Sequence, residues 1–174
     1  MTNENIIPFN ALSQRKQAQL QSSSTKPKMY LSIENSELEP SQNCTLYTIE
    51  IGIQKDQNVH IHQVHKRYSA LNQFDELIRP IFNNANLQSF PPKKLFGNKD
   101  SEFIEQRAQA LQNYILSLIR VPGMIETTTF IRFFEIDPKL TLKNLNAKNG
   151  MIVFQKAQKD SSDDMDNSIK TYRS

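Results

Sequence analysis

The sequence has little of what disulfide-bonded, nucleotide-hydrolysing or membrane-spanning proteins need. Cys44 is the only cysteine, which excludes an intramolecular disulfide and suggests a small apolar side chain in a reducing compartment. The four glycines, Gly52, Gly97, Gly123 and Gly150, are isolated, which excludes a glycine-rich phosphate loop. No run of about 18 apolar residues occurs, and no basic start leads into an apolar segment. We therefore expect a cytoplasmic protein that reaches a membrane only by attachment.

The overall charge is also modest. A formal net charge of +3 and a sequence pI of about 8.9 make the chain mildly basic. This falls short of the charge density of a dedicated nucleic-acid-binding protein, and exposed aromatic residues are not interleaved with cations as in single-strand binding. We therefore expect no nucleic-acid partner.

Residues that could support catalysis or metal binding do not form complete sets. His60 and His62 share one face of a predicted strand and could be two ligands of a metal site, or simply solvent-facing residues. Cys44 is alone and His65 is predicted on the opposite face, so further ligands are missing. Ser69 and His65 are too close along the chain to form a nucleophile–base pair. We expect neither an enzyme nor a metal site, and no cofactor.

The pattern of apolar residues divides the chain into three parts. Residues 1–27 are rich in Asn, Gln, Ser and Lys and are predicted to be a disordered leader. Apolar residues then alternate with polar ones in 29–33, 47–53 and 59–68, which predicts a three-stranded antiparallel meander. The segment 141–174 is predicted to be a mostly disordered acidic and polar tail.

Helical periodicity replaces the alternation after Tyr68. Apolar spacing predicts an amphipathic helix to about Phe82, and Pro91-Pro92 then imposes an extended, polyproline-like course. A second helix begins near Ser101 and is broken by Pro122-Gly123. An aromatic-rich helix follows in 127–136, and its density of phenylalanines is typical of a sealed core. The predicted fold class is α+β: an antiparallel meander packed on a helical subdomain with a polyproline-like loop.

Basic residues are concentrated in the middle of the chain. The segment 64–99 carries six of them against Asp75 and Glu76. A solvated charged surface is the plainer interpretation. The placement favours a site instead, because Arg67 ends a strand, Lys93 leaves a stiff extended segment and Arg107 lies inside a helix. These three elements can border one cleft.

Three strings in this region resemble the PX (phox homology) domain of sorting nexins and related proteins. They are Lys66-Arg67-Tyr68-Ser69, Phe90-Pro91-Pro92-Lys93-Lys94-Leu95-Phe96-Gly97 and Phe103-Ile104-Glu105-Gln106-Arg107. The resemblance covers about residues 28–140 and implies a three-stranded sheet packed against a helical subdomain, with a phosphoinositide pocket between them. Lys66-Arg67 stands where the family more often has two arginines, and Leu71 where it often has phenylalanine. These departures leave the fine lipid preference open.

The resemblance implies a role for each residue of the pocket. Arg67 would bind the 3-phosphate and Lys93 would bind the 1-phosphate. Tyr68 would lie against the inositol ring, and Arg107 would hydrogen-bond the 4- and 5-hydroxyls. A guanidinium suits the first role because it offers two parallel donors to a phosphate. Alternatives stay open for two of them: Tyr68 as a core residue at a strand end, and Arg107 as a surface ion-pair partner of Glu105 or Glu102.

The resemblance also implies a membrane-inserting loop. Leu95 and Phe96 are apolar in an otherwise polar stretch, flanked by Lys94 and Lys99. Such a group fits insertion at an anionic membrane surface. The alternative is that Phe96 folds back into the core.

Together these features predict a phosphoinositide-binding membrane-recruitment module, with phosphatidylinositol 3-phosphate as the lipid. The protein would be peripheral on endosomal or vacuolar membranes, act in trafficking or protein sorting, and bind trafficking-coat or cargo proteins through its tails. The competing hypothesis is a protein-interaction adaptor that uses Pro91-Pro92 and the tails without lipid specificity.

Overall fold

An antiparallel sheet of four strands is the centre of the fold. The computed structural model describes residues 5–41, 43–93 and 100–141. The strands are β1 (Asn5–Pro8), β2 (Met29–Glu39), β3 (Cys44–Lys55) and β4 (Asn58–Arg67), in the order β1-β4-β3-β2. The predicted meander is confirmed as β2, β3 and β4, and β1 adds a strand that the sequence did not predict.

Helices pack on both faces of the sheet. The described helices are α1 (Gln14–Ser22), α2 (Tyr68–Ile78), α3 (Ser101–Leu118), α4 (Thr128–Phe133) and α5 (Pro138–Thr141). Phe74 of α2 stacks on Phe133 with ring centroids 4.3 Å apart, and Phe130 and Phe134 are fully buried beside it. The aromatic helix therefore seals the core, as its composition predicts, and the α+β fold class is confirmed.

The N-terminal arm, residues 5–23, is folded, so the predicted disordered leader is wrong for the described part of residues 1–27. β1 pairs antiparallel with β4, from Asn5 opposite Ile61 to Pro8 opposite Asn58. Leu12 and Leu20 are buried against Tyr30 and Val59 on the outer face of the sheet. The arm has few apolar residues, but a sheet that already presents an apolar surface needs only a few to cover it. The predicted tail lies outside the described residues from 142 onwards.

A polar network fixes α1 to the outer face of the sheet. Lys16 Nζ lies 2.6 Å from Glu50 Oε1 and 3.0 Å from Glu34 Oε1. The Tyr30 hydroxyl donates to Glu50 at 2.7 Å. Burial alone would raise the pKa of Glu50, but the bonds from Lys16 and Tyr30 outweigh it and lower that pKa. The arm thus supplies the cation for a partly buried carboxylate on β3.

Gly52 provides space for the ring of Tyr30, its partner across β2 and β3. A Cβ at Gly52 would lie 2.0 Å from Tyr30 Cε1, which is far inside contact distance. We expect Gly52→Ala to lower the free energy of unfolding by about 1–3 kcal/mol or more, as overpacking of a filled core does. Chemical denaturation measures the change.

The Tyr30→Leu background supplies the control for that substitution, since it removes the ring that the new methyl group meets. Most of the cost of Gly52→Ala is expected to disappear there, because neighbouring substitutions of this kind are not additive. An equal cost in both backgrounds would show that the Tyr30 ring is not what excludes a side chain at Gly52.

No helix in the described part of the chain combines the length and apolar character that a membrane crossing requires.

Candidate functional site

The junction between β4 and α2 places two of the predicted site residues. β4 ends at Arg67, whose extended backbone caps α2, and α2 begins at Tyr68. The Arg67 side chain is exposed and makes no cap hydrogen bond to the first backbone N–H groups of α2. Free N–H groups and the helix dipole favour an anion at such an end. A cation and a helix N-terminus therefore lie together at this end of the sheet.

Tyr68 is held against the polyproline-like segment. Its hydroxyl donates to the carbonyl oxygen of Pro91 at 2.7 Å, and its ring centroid lies 5.4 Å from that of Phe90. Phe90 packs edge-on against Tyr114 of α3, with centroids 5.0 Å apart. Burial raises the pKa of Tyr68, opposed by the nearby charge of Arg107. Tyr68 thus connects α2 directly to the Pro91-Pro92 segment, and Phe90 extends these contacts to α3.

Arg107 is a buried cation between two aromatic rings. Only 8% of it is exposed, and its Cζ lies 4.3 Å from the ring centroids of both Tyr68 and Phe103. Its Nη2 is buried without a hydrogen-bond partner, and no ion pair with Glu102 or Glu105 occurs among the described residues. The surface ion pair considered from the sequence is therefore absent there.

Ion pairing separates the basic residues of this region into two groups. Lys66 Nζ lies 2.7 Å from Glu135 Oε1, and Arg79 binds both carboxylate oxygens of its α2 neighbour Asp75. Within residues 5–41, 43–93 and 100–141, no ion pair involves Arg67, Lys93 or Arg107. Of Lys66, Arg67, Arg79, Lys93 and Arg107, the three without an ion pair in these ranges are the ones that the sequence assigned to the pocket.

A cleft of about 410 Å³ opens beside Tyr68. Lys93 and the Phe90–Pro92 segment form one wall, and α2 forms the other. Its lining from α2 is Tyr68, Ser69, Asn72, Gln73 and Glu76. Arg67 and Arg107 do not line it. Tyr68 and Lys93 therefore line the same cleft, and the Arg107 guanidinium contacts the Tyr68 ring. Arg67 is near them because it precedes Tyr68 in the chain.

A larger groove of about 800 Å³ lies between β2 and α3. Glu34, Glu102 and Glu105 line it together with Arg15. Its carboxylates outnumber its cations, so it suits an anionic ligand less well than the cleft beside Tyr68.

The predicted membrane-inserting residues Lys94, Leu95, Phe96 and Lys99 lie outside the described residues. Sequence reasoning missed Tyr47, which is fully buried near Arg107 and whose hydroxyl has no hydrogen-bond partner among the described residues. The sequence did contain a signal for this residue: Tyr47 begins the predicted strand 47–53 and shares its apolar face with isoleucines.

The histidines of β4 differ from expectation. His62 is 4% exposed, and its Nε2 lies 2.8 Å from the carbonyl oxygen of Phe134, so the solvent-facing position predicted for it is wrong. The end of α4 covers this part of the inner face. His60 is half-buried. Within the part of the chain that the structure describes, no three His, Cys, Asp or Glu side chains form a metal-binding group.

Comparison with known families and folds gives one consistent result. Residues 54–137 match the PX domain family. A designed CISK-PX domain superposes with a TM-score of 0.52 at 21% identity, over 61% of this chain and 98% of that one. The mouse SNX19 PX domain with a bound sulphate ion gives 0.51 at 20% identity, over 63% and 97%. At these identities the structures show the shared fold.

Curated relatives match over shorter segments. Kinesin-like protein KIF16B of Mus musculus is 32% identical over 65 residues, which are 37% of this chain and 5% of that protein. The PX domain-containing protein kinase-like protein of Rattus norvegicus is 37% identical over 76 residues, which are 44% and 12%. The chain therefore spans a small fraction of the length of these relatives.

Proposed function

Because the chain belongs to the PX domain family, whose members are generally phosphoinositide-binding modules of membrane traffic, we propose that it binds phosphatidylinositol 3-phosphate. Binding would make it a peripheral protein of endosomal or vacuolar membranes, with a role in trafficking or protein sorting. PX domains bind lipid and are not catalytic, so the proposal contains no reaction.

The observation that carries the proposal is the burial of Arg107 without a counter-ion in the described part of the chain. A buried charge that lacks a partner costs stability, because it has lost water and gained no acceptor. The cation–π contacts with Tyr68 and Phe103 offset only part of this loss of stability. A polyhydroxylated, phosphorylated ring supplies the missing acceptors, so a site of this kind is stabilised by its ligand.

Arg67 and Lys93 supply the charges for two phosphates. In the proposed complex Arg67 binds the 3-phosphate with two parallel donors, assisted by the free N–H groups of α2. Lys93 lies on the far wall of the cleft and meets the 1-phosphate as a mobile point charge. Both side chains are exposed, so neither has to be desolvated before the ligand arrives.

Tyr68 and Arg107 contact the ring together. The guanidinium already lies over the Tyr68 ring at 4.3 Å, so the headgroup meets a tyrosine–arginine pair and not an open aromatic face. Arg107 donates to the 4- and 5-hydroxyls in this arrangement, and Tyr68 positions the ring by its edge and its apolar surface.

Membrane insertion adds to headgroup affinity in the proposal. Leu95 and Phe96 at the bilayer boundary would contribute on the order of 3 kcal/mol or more. Lys94 and Lys99 would add about 1 kcal/mol each near an anionic leaflet. Trafficking-coat or cargo proteins are the proposed partners of the tails.

The adaptor hypothesis receives less support from the Pro91-Pro92 segment. Pro91 is buried, and its carbonyl oxygen accepts the hydrogen bond from Tyr68. Phe90 before it packs against Tyr114. A proline-rich ligand needs an exposed face for its partner, and here the segment is part of the domain wall.

Vesicle sedimentation of the full chain tests the proposal. We expect stronger retention on vesicles that contain phosphatidylinositol 3-phosphate than on vesicles with any other phosphoinositide at the same total charge. Equal-charge vesicles of phosphatidylserine alone are the control for simple attraction of a basic protein. Equal retention across the whole set would contradict headgroup recognition and leave only non-specific binding.

A further inference from the structure

Tyr47 is a fully buried tyrosine with an unexplained hydroxyl group. It lies on the inner face of β3 in one row with Ile49, Ile51 and Ile53, all of them inaccessible to solvent. Its hydroxyl has no hydrogen-bond partner within the described ranges. A phenylalanine would fill the same space without burying an unsatisfied polar group. The hydroxyl therefore contributes nothing to the packing of the core.

The register of the sheet places Tyr47 directly behind the proposed pocket. Tyr47 pairs with Lys66 and Leu46 pairs with Arg67, so Tyr68 begins α2 immediately beyond this pair. Arg107 approaches the same place from α3, where it stacks on Tyr68. Burial raises the pKa of Tyr47, and both the charge of Arg107 and a hydrogen-bonding contact with its guanidinium oppose that rise. The hydroxyl and the guanidinium are thus neighbours.

The unpartnered atoms of these two side chains are complementary. Arg107 Nη2 is a donor, the Tyr47 phenolic oxygen is an acceptor, and both are buried without a geometrically acceptable hydrogen bond. Tyr47 is beneath the surface, so a headgroup would contact Arg107 and not Tyr47 itself.

We propose that Tyr47 is the positioning residue for Arg107: when a headgroup binds, the Tyr47 oxygen accepts a hydrogen bond from Nη2. The remaining N–H groups of the guanidinium are then held towards the ring hydroxyls. An arginine that is fixed before contact loses less conformational freedom on binding than a free one. This inference rests on the proposed phosphoinositide function and adds a residue that acts through Arg107.

Titration of the full chain with soluble dibutanoyl phosphatidylinositol 3-phosphate tests the inference. Tyr47→Phe is expected to weaken binding about tenfold, as loss of a hydrogen bond to a charged group does. Its thermal midpoint is expected to equal or exceed that of the wild type, because within the described ranges no hydrogen bond of acceptable geometry reaches the hydroxyl. Tyr30→Phe is the matched control: it removes the same atom from a buried tyrosine on the opposite face, and its affinity is expected to be unchanged.

A double-mutant cycle distinguishes positioning from general packing. In an Arg107→Lys background, Tyr47→Phe is expected to cause no further loss of affinity, because lysine lacks the fork of donors that Tyr47 orients. Independent, additive losses would overturn the inference, as would unchanged affinity of Tyr47→Phe in the wild-type background. Absence of saturable binding by the wild-type chain would overturn the proposed function as well, so the two failures are distinguishable.

Discussion

Removal of residues 1–23 is expected to lower the thermal unfolding midpoint by about 10 °C or more. Leu12 and Leu20 are buried, and each contributes about 1.5–3 kcal/mol relative to exposure. A loss of about 3 kcal/mol or more corresponds to a shift of this size in a domain of about 140 residues. Differential scanning calorimetry of the full chain and of a chain beginning at residue 24 measures the difference.

The shortened chain loses more than two leucines. Tyr30 and Val59 lose their cover, β4 loses its pairing with β1, and Glu50 loses its contact with Lys16. Leu20→Ala in the full chain isolates the apolar part and is expected to cost about 2–5 kcal/mol. Gln21→Ala, at the exposed neighbouring position, is the control and is expected to have little effect. If both truncated and full chains melt together, the arm does not belong to the folded domain.

Replacement of Arg67 by alanine is expected to remove most of the binding to vesicles containing phosphatidylinositol 3-phosphate. Loss of charge-assisted, bidentate hydrogen bonds to a phosphate costs about 1.5–3 kcal/mol, which is about 10- to 100-fold in affinity. Stability is expected to change little, since Arg67 is exposed and makes no ion pair within the described ranges. Vesicle sedimentation and a thermal melt of the same preparation measure both quantities.

Arg120→Ala is the matched control for Arg67→Ala. Arg120 is also exposed, and it lies beyond the end of α3, about 20 Å along the helix from Arg107. Both variants remove one positive charge, so an effect of net charge alone would weaken binding equally. Undiminished binding of Arg67→Ala would overturn the assignment of the 3-phosphate to this residue.

Much of the fold could be predicted from local patterns. The inward isoleucines of β3 alternate with polar residues, and the apolar residues of α2 and α3 recur at helical spacing. These patterns are strong because each element buries one face in a common core. The N-terminal arm could not be predicted in this way, since its burial depends on the outer face of a sheet formed by residues far along the chain.

The candidate site shows the same division between local and distant causes. Arg67, Tyr68, Lys93 and Arg107 were assigned from the strings that contain them. The surroundings of these side chains could not be assigned in the same way, because the residue that each one contacts depends on which helices and strands pack together. Glu135, for example, follows α4, yet its carboxylate binds Lys66 at the end of β4.

The sequence by itself determined β2 to β4 and α2 to α4, the α+β class and the match to the PX family, because these follow from periodicity and short strings. Tertiary structure alone decided which of the described cations stay unpaired, that Arg107 is buried on Tyr68, and that Tyr47 is buried close to Arg107. It also decided that the N-terminal arm covers the second face of the sheet. Burial and pairing are properties of neighbours in space, and those neighbours come from segments tens of residues apart.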